Sequence, residues 1–98
     1  MSAVVADTHT VLWYLSADPR FSVWAREAME QATDEGEPDS AFQPISLTVE
    51  IAFALRGIPR SSVPDLPDRV IAATALSLGL PLVTCDRKIQ ASGIETIW

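Results

Sequence analysis

Apolar residues in this chain fall into two kinds of run, and each kind predicts a different element. Short runs rich in β-branched residues predict strands, whereas longer runs with apolar side chains three or four positions apart predict helices. The predicted strands cover residues 3–6, 42–46, 82–84 and 95–98. The predicted helices cover residues 9–15, 22–32, 48–56 and 68–78, followed by a helical turn at 87–91. This alternation of strands and helices predicts an α/β fold, a parallel sheet flanked by helices.

Polar and turn-forming residues mark the ends of these elements. Thr8 precedes the first helix as a plausible N-cap residue. The 68–78 helix has the clearest signals, because Asp68 stands at its start, Gly79 follows its end and Pro81 lies beyond. Residues 33–40, TDEGEPDS, contain four acids, a glycine and a proline but no apolar residue, so they predict a linker.

Length and composition bound the class of protein. Ninety-eight residues predict a single domain, 1–98, and 48% apolar residues predict that it folds. No apolar run is long enough to span a bilayer, and no charged leader precedes a signal-type apolar segment, so we expect a cytoplasmic protein. Cys85 is the only cysteine, which excludes an internal disulfide and a multi-cysteine zinc site. We expect its side chain to be buried.

The formal charge of the chain is −6, with only seven Lys and Arg residues. A protein that holds nucleic acid through its phosphates normally has a basic face, so this charge argues against tight, non-specific binding of RNA or DNA. If the chain acts on nucleic acid, a bound metal ion must offset much of the carboxylate repulsion. Arg69, Arg87 and Lys88 adjoin aspartates and could meet phosphates, although Arg69 could equally pair with Asp65.

Three aspartates stand where the chain passes between predicted strands and helices. Asp7 ends the run SAVVAD, Asp86 ends PLVTCD, and Asp68 opens the helix DRVIAATALSLG. Such junctions lie along the carboxyl edge of an open parallel sheet, where ligands bind. Carboxylates brought close together repel one another unless a cation sits between them, and oxygen-only ligands suit Mg²⁺ or Mn²⁺. Taken singly, each aspartate also suits a helix N-terminus, so a purely structural role stays open.

Three stretches, ADTHTVLWYL, PDLPDRVIAATALSLGLPLVTCDRKI and ASGIETIW, resemble the PIN-domain ribonuclease toxins of the VapC type. The resemblance implies Mg²⁺- or Mn²⁺-dependent endonucleolytic cleavage of RNA, with Asp7, Asp68 and Asp86 as three of the family's four metal-binding acids. It also implies a cognate antitoxin as partner and a homodimer. In the family, a Ser or Thr at the position of Thr84 supports the acidic site through hydrogen bonds. A β-favouring residue in a strand explains Thr84 about equally well.

The fourth acid of the resembled family, a glutamate, has two interpretations in this chain. Glu50, in ISLTVEIAFAL, has superficially the right context. In the alignment that we favour, the ungapped run from residue 39 to residue 69 matches the family's third strand and the helix after it, and Glu50 has no catalytic importance. Some tens of residues are then missing within 33–40, and with them the second strand, two helices and the catalytic glutamate.

Loss of the second strand has consequences for both fold and function. It would leave strand edges with unpaired backbone groups. Three outcomes stay open: strand three pairs with strand one, a second chain is recruited, or the sequence omits a segment. Without the catalytic glutamate, the chain could instead be an inactive PIN-like module that keeps antitoxin binding or dimerisation. We expect Trp13, Trp24 and Trp98 to pack in the core or a dimer contact, and His9 to be an ordinary first-turn residue.

Overall fold

Three short parallel strands form the sheet of this protein. The computed structural model describes residues 3–33 and 45–98. Within them, β1 is Val5–Ala6, β2 is Leu82–Val83 and β3 is Thr96–Ile97, in the order β1-β2-β3. Both pairings are parallel, and β2 is the central strand. The predicted fold class, a parallel sheet flanked by helices, is therefore confirmed.

Helices connect and cover the strands. In chain order they are α1 (Thr8–Leu15), α2 (Val23–Thr33), α3 (Val49–Ala54), α4 (Leu66–Leu78) and α5 (Arg87–Gln90). A single 3₁₀ turn, Leu55–Gly57, continues α3. Gly79 ends α4 with a left-handed φ of 67°, as the sequence predicts, because a residue without a Cβ adopts this conformation without strain.

Two helix starts differ from the sequence prediction. The N-cap residue of α1 is Asp7 rather than Thr8, and Thr8 is the first helical residue. The helix α4 begins two residues before Asp68, because Asp65 takes the N-cap position and Pro67 lies in the first turn, where its fixed φ suits a helix. Asp68 is consequently a first-turn residue rather than a helix cap.

Part of the sequence prediction falls outside the described residues. The predicted 33–40 linker lies outside them from residue 34 onward, and so do residues 42–44 of the predicted 42–46 strand. Residues 45–48 are described and have no regular secondary structure, so that strand is not formed at residues 45 and 46. In the described ranges no strand pairs with β1 on the side away from β2.

Both faces of the sheet are buried, as is usual for a parallel sheet. Leu82 and Val83 are consecutive on β2, point to opposite faces and are both 0% exposed. Leu82 belongs to a core shared with α3 and α4, which includes Ile51, Ile58, Val63, Ala72, Ala73, Ala75 and Ile89. Val83 belongs to a second core, shared with α2 and the end of the chain, which includes Phe21, Ala25 and Met29. These two cores fix β2, and with it the position of the segment that follows.

Aromatic side chains close the second core. The ring of Trp98 meets Phe21 at a centroid distance of 5.1 Å and Trp13 at 6.2 Å, both edge to face. Trp13 and Trp98 thus pack in the core as expected. Trp24 is 70% exposed and does not pack in the core, so a dimer contact stays the prediction for it. Among the described helices, none has the length and apolar composition needed to cross a membrane.

Candidate functional site

Asp7 lies directly after β1, at the carboxyl edge of the sheet. Its Oδ1 accepts the backbone N–H of Thr10 at 2.8 Å and so caps α1. Thr10 is 5% exposed, and its hydroxyl donates to the carbonyl of Val83 at 3.3 Å. Within residues 3–33 and 45–98, Oδ2 of Asp7 accepts no hydrogen bond, so the cap occupies only one of its two oxygens.

Asp86 repeats this arrangement three residues after β2. Its Oδ1 accepts the backbone N–H groups of Lys88 at 2.8 Å and Ile89 at 3.2 Å, which caps α5. Its Oδ2 receives no hydrogen bond from the described part of the chain. Both edge aspartates therefore combine a structural cap with one carboxylate oxygen left for another partner.

Thr84 and Gln90 hold the segment that leads to Asp86. The backbone N–H of Asp86 donates to the hydroxyl of Thr84 at 3.1 Å, and the amide Nε2 of Gln90 donates to the Thr84 carbonyl at 3.0 Å. Thr84 is buried. Thr84 therefore makes a hydrogen bond to the segment of Asp86, while its support of an acidic site stays a prediction; Gln90 has a role that the sequence reasoning missed.

Asp68 reaches the same edge from the first turn of α4. Its half-buried carboxyl has a raised pKa, first because burial disfavours the charged form and then because of the charges of Asp65 and Asp86. The charge of Asp7 raises the pKa of Asp68 further. The three aspartates singled out in the sequence are therefore close enough to interact electrostatically. Asp65 joins them, and its only sequence signal was its place three residues before Asp68.

Basic residues near the edge offset little of this negative charge. The guanidinium Nε of Arg69 is buried and has no hydrogen-bond partner among the described residues. The alternative that Arg69 pairs with Asp65 is not found: the ion pair in residues 3–33 and 45–98 joins Arg20 to Asp18 at 2.8 Å. Arg87 and Lys88, on α5, are exposed. They are free to approach a phosphate from solvent.

Three further residues can be placed against their predicted roles. Glu50 is exposed in the first turn of α3, and its charge is not among the causes that raise the pKa of Asp68. His9 is exposed in the first turn of α1, as expected. Cys85 is exposed, so the prediction of a buried side chain is wrong. The reason is that β2 ends at Val83, which leaves Cys85 in the irregular connection to α5.

The donor set suits a hydrated magnesium or manganese ion better than a closed cage. Carboxylate oxygens are the ligands that these cations prefer, and Mg²⁺ commonly binds through one or two carboxylates while it keeps several waters. In the described residues, no three Asp, Glu, His or Cys side chains lie close enough together to hold one ion. The carboxylates of Asp7, Asp68 and Asp86 are of the right chemical type for such an ion, but the structure does not bring all three together around one point.

Comparison with known families gives one match. The family model described as PIN domain matches residues 28–93, which is more than half of the chain. The match contains Asp68, Asp86 and Glu50, whereas Asp7 and β1 precede it. Searches of curated proteins and of solved structures return no match.

Proposed function

Because the chain belongs to the PIN-domain family, whose members are generally nucleases, we propose that it is a metal-dependent endonuclease that cleaves RNA. Asp7, Asp68 and Asp86 are its metal-binding and catalytic residues, with Mg²⁺ or Mn²⁺ as the cofactor. The biological role included in this proposal is that of the toxin in a toxin–antitoxin pair.

The electrostatic interaction of three carboxylates near one edge of the sheet supports this proposal most directly. Asp68 on α4 feels the charges of both edge aspartates, although the three residues are far apart in the sequence. Mutual repulsion of this kind costs stability, which a bound divalent cation would restore. A capping role explains Asp7 and Asp86 singly, but it does not explain why Asp68, which caps no helix, is within reach of their charges.

The chemistry assigns a different task to each group. A divalent ion bound here would lower the pKa of a water molecule and stabilise the charge that grows on a phosphate during hydrolysis. The second oxygens of Asp7 and Asp86 would hold the ion, because their first oxygens are fixed by helix N–H groups. Asp68, in the first turn of α4, would complete the carboxylate cluster and help to position the attacking water.

Substrate binding must work against the net charge of −6. Arg87 and Lys88 directly follow Asp86 and are exposed, so they can contact phosphates next to the carboxylates. We expect binding of RNA to be weak without a divalent ion, because few cations are available to replace counterions along the phosphate backbone.

The toxin role includes a cognate antitoxin, a homodimer and a cytoplasmic location. The stretches that resemble the VapC-type toxins support the antitoxin. Exposed apolar side chains, among them Val23 at 76% and Trp24 at 70%, support a protein contact such as that of a dimer. In this proposal the chain forms one PIN-like domain over residues 1–98. A segment of the family fold is deleted or omitted within residues 33–40.

Cleavage of RNA in the presence of Mn²⁺ tests the proposal. The unaltered chain, Asp7→Asn and Glu50→Gln are compared, with EDTA as a metal-free control. We expect cleavage by the unaltered chain and by Glu50→Gln, and none by Asp7→Asn, because Glu50 is exposed on α3 and its charge is not among those that act on Asp68. Loss of cleavage in Glu50→Gln alone would show that the fourth acid had been misassigned. No metal-dependent cleavage by the unaltered chain would refute the nuclease assignment for this sequence.

A second candidate function is an inactive PIN-like module that keeps antitoxin binding or dimerisation. It is favoured by the finding that, within the described residues, no three potential ligands are close enough to hold one ion. The module would show no cleavage with Mn²⁺ but would still bind an antitoxin or itself. An intact mass measurement belongs with this test, because it establishes whether a segment is missing from the sequence.

A further inference from the structure

Thr10 links the segments of the chain that carry Asp7 and Asp86, which are far apart in the sequence. Its backbone N–H donates to Oδ1 of Asp7 at 2.8 Å, while its hydroxyl donates to the Val83 carbonyl, 73 positions away, at 3.3 Å. The side chain is 5% exposed and its bond to Val83 is buried, so solvent does not compete with that bond. One residue thus contacts both the aspartate after β1 and the last residue of β2.

The direction of the Thr10 hydroxyl is unusual for a helix. A threonine hydroxyl in a helix commonly bonds to a carbonyl three or four residues earlier in the same helix. Thr74 in α4 does so, with a bond of 2.7 Å to the Val70 carbonyl. Thr10 instead donates across to another element. Its hydroxyl bond therefore connects two elements and fixes the first turn of α1 against β2.

The strand register explains why this bond affects the carboxylates. Ala6 pairs with Val83, so Asp7 and Thr84 are the residues that directly follow the two neighbouring strands. The hydroxyl of Thr84 in turn accepts the N–H of Asp86. A continuous path of hydrogen bonds and backbone therefore runs from Asp7 through Thr10 and the end of β2 to Asp86.

We propose that Thr10 is a positioning residue for the metal site: its hydroxyl bond to Val83 sets the separation between the carboxylates of Asp7 and Asp86. The inference rests on the proposed function, because it assumes that these carboxylates bind the ion. Partners that orient metal-binding side chains typically change metal affinity by about 10- to 100-fold when they are removed. Thr10 itself contacts no metal and no substrate.

The test measures Mn²⁺ affinity directly, by calorimetric titration, together with the melting temperature of each variant. Thr10→Val removes the hydroxyl and keeps the shape of the side chain, while Thr10→Ser keeps the hydroxyl. Thr74→Val is the matched control, because it makes the same substitution at a hydroxyl–carbonyl bond that links no second element. Asp7→Asn marks the loss of a metal-binding residue. All titrations are made at a temperature where every variant is folded.

We expect Thr10→Val to weaken Mn²⁺ binding by about tenfold or more, Thr10→Ser to restore it, and Thr74→Val to leave it unchanged. If Thr10→Val binds Mn²⁺ like the unaltered chain while Asp7→Asn does not, the positioning role is refuted and the metal site stands. Equal losses in Thr10→Val and Thr74→Val would also refute it, since the effect would then be general. If the unaltered chain neither binds Mn²⁺ nor cleaves RNA, the proposed function itself fails.

Discussion

Substitutions at Asp86 separate two roles of one carboxylate, the helix cap that the structure shows and the metal ligand that we propose. Oδ1 of Asp86 caps α5 through the N–H groups of Lys88 and Ile89, and Oδ2 is the oxygen proposed to hold the ion. Asn keeps a capping oxygen and removes the charge, whereas Ala removes both. We therefore expect Asp86→Asn to lose metal binding with little loss of stability, and Asp86→Ala to lose both.

The size of the stability effect follows from the two donors. The N–H of Lys88 is exposed and can bond to water after the substitution, but that of Ile89 is half-buried. Loss of an N-cap side chain typically costs about 1 kcal/mol, within a range of about 0.5–2 kcal/mol. In a domain of this size, about 1 kcal/mol lowers the melting temperature by about 4–8 °C. Asp86→Asn should stay within a few tenths of a kcal/mol of the unaltered chain.

Thermal unfolding with and without Mn²⁺ measures both effects in one assay. A ligand that binds only the folded state raises the melting temperature, so the unaltered chain should melt higher with Mn²⁺ and neither Asp86 variant should respond. Thr48→Ala is the matched control. It removes the cap of α3, a bond of 3.2 Å from the Ile51 N–H to an uncharged side chain, and it should lower the melting temperature but keep the response to Mn²⁺.

Two results would refute this reasoning in different ways. If Asp86→Asn keeps the full Mn²⁺ response, the Asp86 carboxylate does not hold the ion. If Asp86→Ala has the same melting temperature as the unaltered chain, the hydrogen bonds to Oδ1 do not stabilise α5, and the capping geometry is wrong.

Two further predictions concern stability in the absence of metal. Burial and the neighbouring carboxylates raise the pKa of Asp68 above its ordinary value of 3.8, so the folded state binds this proton more tightly than the unfolded state does. The contribution of Asp68 to stability should then fall as the pH rises from about 3.8 through its folded pKa. At pH 7, urea unfolding should therefore show Asp68→Asn to be more stable than the unaltered chain. Equal stability of the two chains at pH 7 would contradict this. Leu82→Ala should cost about 2–5 kcal/mol, because Leu82 is 0% exposed in the central strand. Leu12→Ala, 56% exposed on α1, should stay within about 0.5 kcal/mol in the same measurement, and similar losses for the two would show that the core is misplaced.

The fold was largely predictable, because each predicted element had a periodic apolar pattern and a recognisable end. Gly79, for example, ends α4 at the predicted residue. The start of α4 was misjudged, since Asp68 and Asp65 are both good helix-start residues three positions apart and only the folded backbone shows which one is the cap. Cys85 was misjudged because it lies in the irregular connection between β2 and α5, where its side chain is exposed, and its sequence neighbours do not show which way that connection turns.

Some residues of the candidate site could be predicted from the sequence, and others could not. Asp7, Asp68 and Asp86 could be named from their positions next to strands and helices, and the structure places Asp68 within reach of the charges of the other two. Thr10 and Gln90 gave no such signal. A hydroxyl or an amide acquires its role from the acceptor that it meets, and the acceptors here are carbonyl groups on β2.

The sequence by itself determined which residues are apolar, which are acidic and roughly where most helices and strands lie, because these properties depend on neighbours within a few positions. It therefore determined the strand and helix order, the membership of the PIN-domain family and the three aspartates. Only the tertiary structure decided that Asp7 caps a helix while its second oxygen stays available, that Asp65 joins the carboxylates, and that Thr10 reaches β2. These features depend on contacts between residues up to 73 positions apart, and such contacts form only when the two cores bring the strands together.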